Sequence, residues 1–214
     1  MFSGKSYRLI TLTILCFLLL AGTAFADSIT IYNTGEDNNG QALPVGVLDP
    51  HYSLISAPSG VPLTAITTQP NAAWVPNGVS ADWISPSASG NDSWPVGTYD
   101  YRTTFNLSGF DINTAKLFGQ WASDNDACIF LNGASTGACT GFADFGHLTA
   151  FMIDSGFVQG TNTLDFMVDN GGGPTGLYVE IAGTADVPEP SSILLVASGL
   201  VSTAVGIRRK LLTR

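Results

Sequence analysis

Short runs of alternating apolar and polar residues fill the middle of the chain, separated by clusters of Gly, Asn, Asp and Pro. Alternation with a period of two is typical of a strand with one buried face, and no stretch in this middle part keeps a period of 3.6 residues. The pattern predicts strands at 28–33, 51–56, 99–107, 115–123, 127–132, 148–154, 162–170 and 177–183. About eight short strands without helices predict an all-β domain, folded as a β-sandwich or a jelly roll.

The N-terminus breaks this pattern. Lys5 and Arg8 precede an almost unbroken apolar run at 9–21, and Ala24-Phe25-Ala26 has the small-x-small pattern of a signal peptidase site. An N-terminal membrane anchor is the alternative, but the apolar run is too short to span a bilayer. We therefore predict that residues 1–26 are a signal peptide and that the mature chain begins at Asp27.

The C-terminus is a second apolar segment. Residues 191–207 carry no charge, and Arg208, Arg209, Lys210 and Arg214 follow. A helix of this length is about 25 Å long, close to the 30 Å of a hydrocarbon core. A buried core helix is the alternative, but the adjoining charges favour a membrane span with its basic end in the cytoplasm. The sequence thus predicts a transmembrane helix and basic tail over 191–214.

The linker before this helix, 185–190, contains Val187-Pro188-Glu189-Pro190. Together with the short helix and the basic end at Arg208 and Arg209, it resembles the PEP-CTERM sorting signal of Gram-negative bacteria. The resemblance implies that a membrane-embedded exosortase processes the protein near the Pro-Glu-Pro motif. It also implies a final location at the cell surface or in the extracellular matrix, often alongside exopolysaccharide.

Charge is unevenly distributed between the ends and the middle. The whole chain has a formal charge of −9, but residues 27–186 contain sixteen acidic residues against only Arg102 and Lys116, which gives −14. Such a domain repels phosphate backbones, so nucleic-acid binding is excluded. Acidic excess is compatible with an extracellular location and with divalent cations such as calcium.

Two cysteines, Cys128 and Cys139, remain after removal of the signal peptide. An even pair in an exported protein predicts a disulfide. A two-residue hairpin loop at Gly133-Ala134 would place the two cysteines directly opposite each other. A turn at Asn132-Gly133 would instead shift the register and separate them, and the sequence leaves both turns open.

The strands from Tyr99 to Gly183 resemble the galactose-binding-like jelly roll, through "ACIFLNG" and the later "GTNTLDF". The resemblance extends over most of residues 27–184, which we take as the domain. Many members of that family bind glycans and others are spacers. Two functions therefore remain open: binding of extracellular polysaccharide, or a structural or protein-interaction role without a glycan ligand.

Carboxylate and amide side chains concentrate early in the domain, where Asp37 and Asn39 lie in "GEDNNG" and Asp49 follows. Calcium prefers such oxygen ligands from flexible loops. The jelly-roll resemblance implies a structural calcium between an early loop and the last strand, which adds Glu180. A solvated turn is the alternative.

Tryptophans in loop-rich sequence are candidates for sugar contacts. Trp83 in "ADWISP" and Trp94 in "NDSWPVG" could line the rim of a ligand site, whereas Trp121 alternates with Leu117 in a strand and is expected in the core. Packing within the loops is the alternative for both.

A literal G-x-S-x-G occurs at 133–137, with Asp144 and His147 downstream. A nucleophile elbow needs a strand, a sharp turn and a helix, and the Gly- and Thr-rich residues after Ser135 do not favour a helix. The sequence therefore predicts no catalytic residue and a protein that is not an enzyme.

Overall fold

The computed structural model describes residues 26–188, 198–199 and 205. The predicted signal peptide and the predicted membrane span therefore lie almost wholly outside the described residues. No helix among those residues is long and apolar enough to cross a membrane. Residues 26–186 form one compact unit.

This unit is a β-sandwich of two antiparallel sheets, and the predicted fold class is confirmed. The first sheet has the strand order β3-β4-β11-β6-β9, with β1 paired to β11; the second has the order β2-β5-β10-β7-β8. The strands are β1 (Ala26–Ser28), β2 (Ser53–Ser56), β3 (Ile66–Thr67), β4 (Ile84–Ser85), β5 (Gly97–Asn106), β6 (Asp111–Asp124), β7 (Asp126–Leu131), β8 (Ala134–Cys139), β9 (Thr149–Ile153), β10 (Thr161–Asn170) and β11 (Gly176–Asp186), with a short 3-10 helix at Asp144–Gly146.

The core lies between the sheets because alternate side chains of the long strands point inward. In β5, Tyr99, Tyr101 and Phe105 are buried. Trp121 of β6 lies 5.6 Å from the ring of Phe166, so its predicted core position is confirmed. A second, smaller apolar cluster covers part of the outer face of the first sheet, around Trp74, Trp83 and Tyr178.

The β7–β8 hairpin turns at Asn132-Gly133, where both residues have positive φ (52° and 79°). The Gly133-Ala134 loop considered above is therefore wrong, since Leu131 pairs with Ala134. A register shift between Cys128 and Phe130 then brings Cys128 opposite Cys139, and the two form the predicted disulfide. The Asn-Gly turn and the disulfide are compatible because extra residues in the bulged strand β8 change its pairing register before Cys139.

The first and last residues of the domain lie together at the C-terminal end of β11. Ala26 and Asp27 of β1 pair with Asp186 and Ala185 of β11. Asp186 also faces Asp111 of β6, and its N–H donates to Thr114 Oγ1 at 2.8 Å. Both connections to the rest of the chain therefore leave the sandwich at the same end of β11.

Candidate functional site

The opposite end of β11 carries loops with exposed apolar side chains. There the loop after β10, at 171–173, is made of three glycines and lies beside the segment before β5 and the loop after β8. Phe142 and Val96 extend from these two neighbouring segments, with 64% and 69% of their surface exposed. We call Phe142, Val96 and the backbone of 171–173 the glycine platform.

Glycine is required where the two side chains meet this loop. A Cβ at position 171 would lie 3.0 Å from Cε2 of Phe142, and position 172 has a φ of +108° with Val96 Cγ2 at 3.3 Å from the Cβ position. Side chains at these positions would push the ring outward or strain the backbone. Glycine at 171 and 172 therefore lets Phe142 and Val96 approach the loop closely while most of each side chain stays exposed.

Two buried asparagines hold the segments of the platform together. Asn125 accepts a hydrogen bond from Gly171 N at 2.7 Å through Oδ1, and its Nδ2 donates to Phe142 O at 3.4 Å. Asn170 donates to the carbonyls of Trp94 and Pro95, both at 3.1 Å, and accepts from Gly172 N. Because these amides satisfy backbone groups in three different loops, the platform is preorganised rather than formed by independent loops.

Trp94 is paired with the platform backbone at Gly173. The backbone N–H of Trp94 donates to Gly173 O at 2.8 Å, while its ring is partly buried against the core. Its indole Nε1 is buried and has no hydrogen-bond partner among the described residues. Trp94, a predicted ligand residue, therefore adjoins the platform and supports its backbone, and its side chain is only partly buried.

The prediction that Trp83 lines a ligand rim is corrected by its burial. Its exposed fraction is 0%, its Nε1 donates to Val75 O at 2.8 Å, and its ring stacks on Trp74 at 4.2 Å. The loop around Trp83 folds down onto the outer face of the first sheet, so this indole has no free face for a sugar.

Three of the four predicted calcium ligands, Asp37, Asp49 and Glu180, accept hydrogen bonds from protein donors. Asp37 Oδ1 accepts the N–H groups of Asn39 and Gln41, which hold the pKa of Asp37 below its usual value. Asp49 is buried, which raises its pKa, and three backbone N–H groups offset part of that effect. Glu180 accepts from Gln120 Nε2 at 2.5 Å and from the hydroxyl of Tyr178 at 2.7 Å.

No group of three or more His, Cys, Asp or Glu side chains suited to a metal ion occurs among residues 26–188 and the three further described positions. Asp37, Asp49 and Glu180 thus do not converge into such a group, and Asn39 donates to Asp37 through its Nδ2. Calcium binding at these residues stays a prediction.

One buried carboxylate, that of Asp124, adjoins Asn125 of the platform segments. Asp124, at the end of β6, accepts a hydrogen bond from Trp74 Nε1 at 2.7 Å, and burial raises its pKa to about 6. Its carbonyl accepts from Thr175 Oγ1 at 2.7 Å, which ties β6 to the loop that follows 171–173.

Ser135 of the G-x-S-x-G stretch lies in β8 opposite Phe130 and not at a strand–turn–helix junction.

Sequence reasoning missed Phe142, Val96 and Asn125. A single phenylalanine among Gly, Ala and Thr has no period that marks it as exposed, and it lies between two predicted strands. The available signal was the run of three glycines at 171–173, because such a run allows the close approach of other side chains.

Comparisons with known proteins support the sorting signal. The protein-family model for the PEP-CTERM protein-sorting motif matches residues 186–210, which confirms the predicted motif. The chain is therefore an exported protein that is processed by an exosortase at the membrane and associated with the cell surface. The sorting residues Glu189, Pro190, Arg208 and Arg209 lie outside the described residues; Val187 and Pro188 directly follow β11.

No curated protein matches the chain. Among solved structures, a family 35 carbohydrate binding module from an environmental isolate is 13% identical, covering 65% of this chain and 98% of its own, with a TM-score of 0.36. A Stig cyclase from Fischerella sp. TAU, in complex with an indole compound, is 14% identical, covering 77% and 100%, with a TM-score of 0.44. Both scores are below 0.5, so the proposal below is based on the residues of this chain.

Proposed function

We propose that this exported protein binds an extracellular polysaccharide through the glycine platform. The observation that carries the proposal is the exposed ring of Phe142, which lies so close to Gly171 that a Cβ there would be 3.0 Å from Cε2 of the ring. Exposed apolar side chains at one end of a domain, with polar residues beside them, are candidates for a binding site.

A sugar chain fits the chemistry of this surface. The pyranose ring has an apolar face that can pack on Phe142 and Val96, while its hydroxyls need hydrogen-bond partners at the rim. The rim supplies them, because Asp126 and Asp169 adjoin Asn125 and Asn170 in sequence and are at least partly exposed. Preorganisation by the buried asparagines lowers the ordering cost of binding.

A structural or protein-interaction role is the second candidate, and a separate surface favours it. On the outer face of the first sheet, Phe118 of β6 lies directly opposite Met152 of β9, and both are exposed. A role in contacts with other proteins would depend on this pair and not on the platform. Substituting the two surfaces separately therefore distinguishes the candidates.

The experiment measures binding of the processed protein to a panel of bacterial exopolysaccharides, before and after the substitution Phe142→Ala. Truncating a central aromatic contact costs more than about 1 kcal/mol, so we expect affinity to fall about tenfold. Val79→Ala is the matched control, since Val79 is 96% exposed and lies outside the platform. Binding that is unchanged by Phe142→Ala but lost in Phe118→Ala would contradict the proposal and favour the second candidate.

A further inference from the structure

The segments that build the glycine platform are acidic and contain no positively charged side chain. Residues 91–98, 124–126, 140–144 and 169–173 include no Lys or Arg. The aspartates in these segments are Asp92, Asp124, Asp126, Asp144 and Asp169.

The two cations of the domain lie elsewhere. Arg102 is bound to Asp165 by two hydrogen bonds, 2.5 Å from Nε to Oδ1 and 2.8 Å from Nη2 to Oδ2. Lys116 lies opposite Thr184, close to the end of β11 from which the chain leaves the domain. Neither side chain therefore neutralises the aspartates at the platform, and the one basic partner there is His147, whose Nε2 lies 3.3 Å from Oδ1 of Asp144 among the described residues.

Two of these aspartates face each other directly. Asp126 of β7 and Asp169 of β10 are cross-strand partners at the end of the second sheet, next to Asn125 and Asn170. Thr98 Oγ1 donates to Asp169 Oδ1 at 2.5 Å, and no described residue donates to the carboxylate of Asp126. Like charges directly opposite each other destabilise a sheet, and a cation held between them removes that repulsion.

A third carboxylate lies one row further along the same face. Asp100 of β5 is the partner of Met167, two residues before Asp169, so the two aspartates are diagonal neighbours. The Oδ1 of Asp100 is buried without a hydrogen-bond partner among the described residues. Arg102 is two residues from Asp100 on the same face, but both of its hydrogen bonds go to Asp165. Among the described residues, Asp100, Asp126 and Asp169 therefore have only the Thr98 hydroxyl as a side-chain donor.

We propose that the platform selects a polysaccharide that carries free amino groups. This inference rests on the function proposed above and adds the class of sugar. The ring of one sugar unit packs on Phe142 and Val96, and a protonated amine on that unit or the next lies between Asp126 and Asp169 and donates to both. Polymers of uronic acids are repelled by the same carboxylates.

The test uses the processed protein and three oligosaccharides of equal length: deacetylated chito-oligosaccharide with free amines, its N-acetylated form, and oligogalacturonate. Binding is measured by calorimetry at pH 5.5, with chelator to remove bridging metal ions and 150 mM salt to screen long-range attraction, at which the Debye length is about 8 Å. We expect the deacetylated ligand to bind at least tenfold more tightly than the acetylated one, and oligogalacturonate not to bind.

The matched variants remove equal charge from opposite ends of the domain. Asp126→Asn with Asp169→Asn should abolish the tenfold preference for the amine. Asp27→Asn with Asp111→Asn changes the net charge by the same amount at the end where the chain leaves the sandwich, and should keep the preference. Equal loss in both double variants, an unchanged preference in the first, or binding of oligogalacturonate would overturn the inference.

Failure of the inference is distinguishable from failure of the proposed function. If all neutral and amine-bearing ligands bind equally and Phe142→Ala weakens each of them, the platform binds glycans without selecting an amine. If none of the oligosaccharides or exopolysaccharides binds, both the function and its sugar class are wrong.

Discussion

At the scale of single residues, the domain contains carboxyl groups whose burial opposes their ionisation. Burial raises the pKa of Asp82 to about 6, and no described residue donates a hydrogen bond to its carboxylate. Asp124 has a similar pKa, although the Trp74 indole N–H favours its charged form. A carboxyl with a folded pKa above its unfolded value of 3.8 binds its proton more tightly in the folded state. The stability that it provides is complete below pH 4 and is lost as the pH rises through 6.

We therefore expect Asp82→Asn to stabilise the domain at neutral pH. The amide has nearly the same shape and no charge to desolvate, so Tm at pH 7.5 should rise by about 2–4 °C, the shift that 1 kcal/mol gives in a domain of this size. At pH 4 the variant and the parent should melt together. Calorimetry at both values checks this, with the exposed Asp154→Asn as control. A variant that is destabilised equally at both pH values would contradict it. Asp124 keeps its own pH dependence in this variant.

Individual residues also show where sequence reasoning succeeds. Trp121 was predictable because alternation within a long strand places it on the same face as Leu117, and that face is buried. Trp83 was not, since "ADWISP" has the composition of an exposed loop but folds onto Trp74 and Tyr178. Burial in a loop depends on contacts with residues distant in sequence, which local composition does not encode.

At the scale of elements, strands that show alternation were mostly predictable, including the four-residue β2, which lies within the predicted segment 51–56. The strands β5, β6, β7, β9, β10 and β11 coincide with predicted segments to within a few residues. β3 and β4 have two residues each, too few to show alternation, and β8, with the sequence ASTGAC, has no large apolar residue. The predicted strand at 28–33 is replaced by β1 at Ala26–Ser28 followed by extended chain. There Ile29 N donates to Gly183 O, so the extended segment continues beside β11.

The β7–β8 hairpin depends on its disulfide because β8 is an edge strand with mainly exposed side chains. Ten residues separate Cys128 from Cys139, so closure of this loop should stabilise the domain by about 2–3 kcal/mol. We expect Cys128→Ser with Cys139→Ser to lower the free energy of unfolding by that amount in urea titrations. Parent protein treated with reductant should lose the same amount, and thiol labelling of the denatured, unreduced parent should find no free cysteine at these positions. Equal stability of parent and double variant would show that the strand pairing alone holds the hairpin.

At the scale of the whole molecule, the strand β11 connects the two functional features of the chain. It begins at Gly176, directly after the loop of the glycine platform, and ends at Asp186, where the matched sorting motif begins. Eleven residues at about 3.3 Å per residue separate these points by roughly 33 Å. Because β1 pairs with the last residues of β11, the N-terminal connection leaves from the same end as the sorting motif. The proposed ligand surface and the first residue of the matched sorting motif thus lie at opposite ends of β11.

This separation predicts different accessibility at the two ends while the sorting signal is still attached. Only residues 187–190 lie between Asp186 and the predicted membrane span, so a label at the chain-exit end should be hindered by the membrane or by the exosortase. We expect Phe142→Cys to react with a bulky maleimide equally fast in the membrane-held precursor and in the processed protein. Ser28→Cys should react at least several-fold more slowly in the precursor, since Ser28 pairs with Thr184 beside the exit. An exosortase-deficient host supplies the precursor, and a small maleimide serves as control because it should reach both positions at similar rates. Slow labelling at position 142 in the precursor would mean that the platform is covered until processing, and would place polysaccharide binding after release instead of before it.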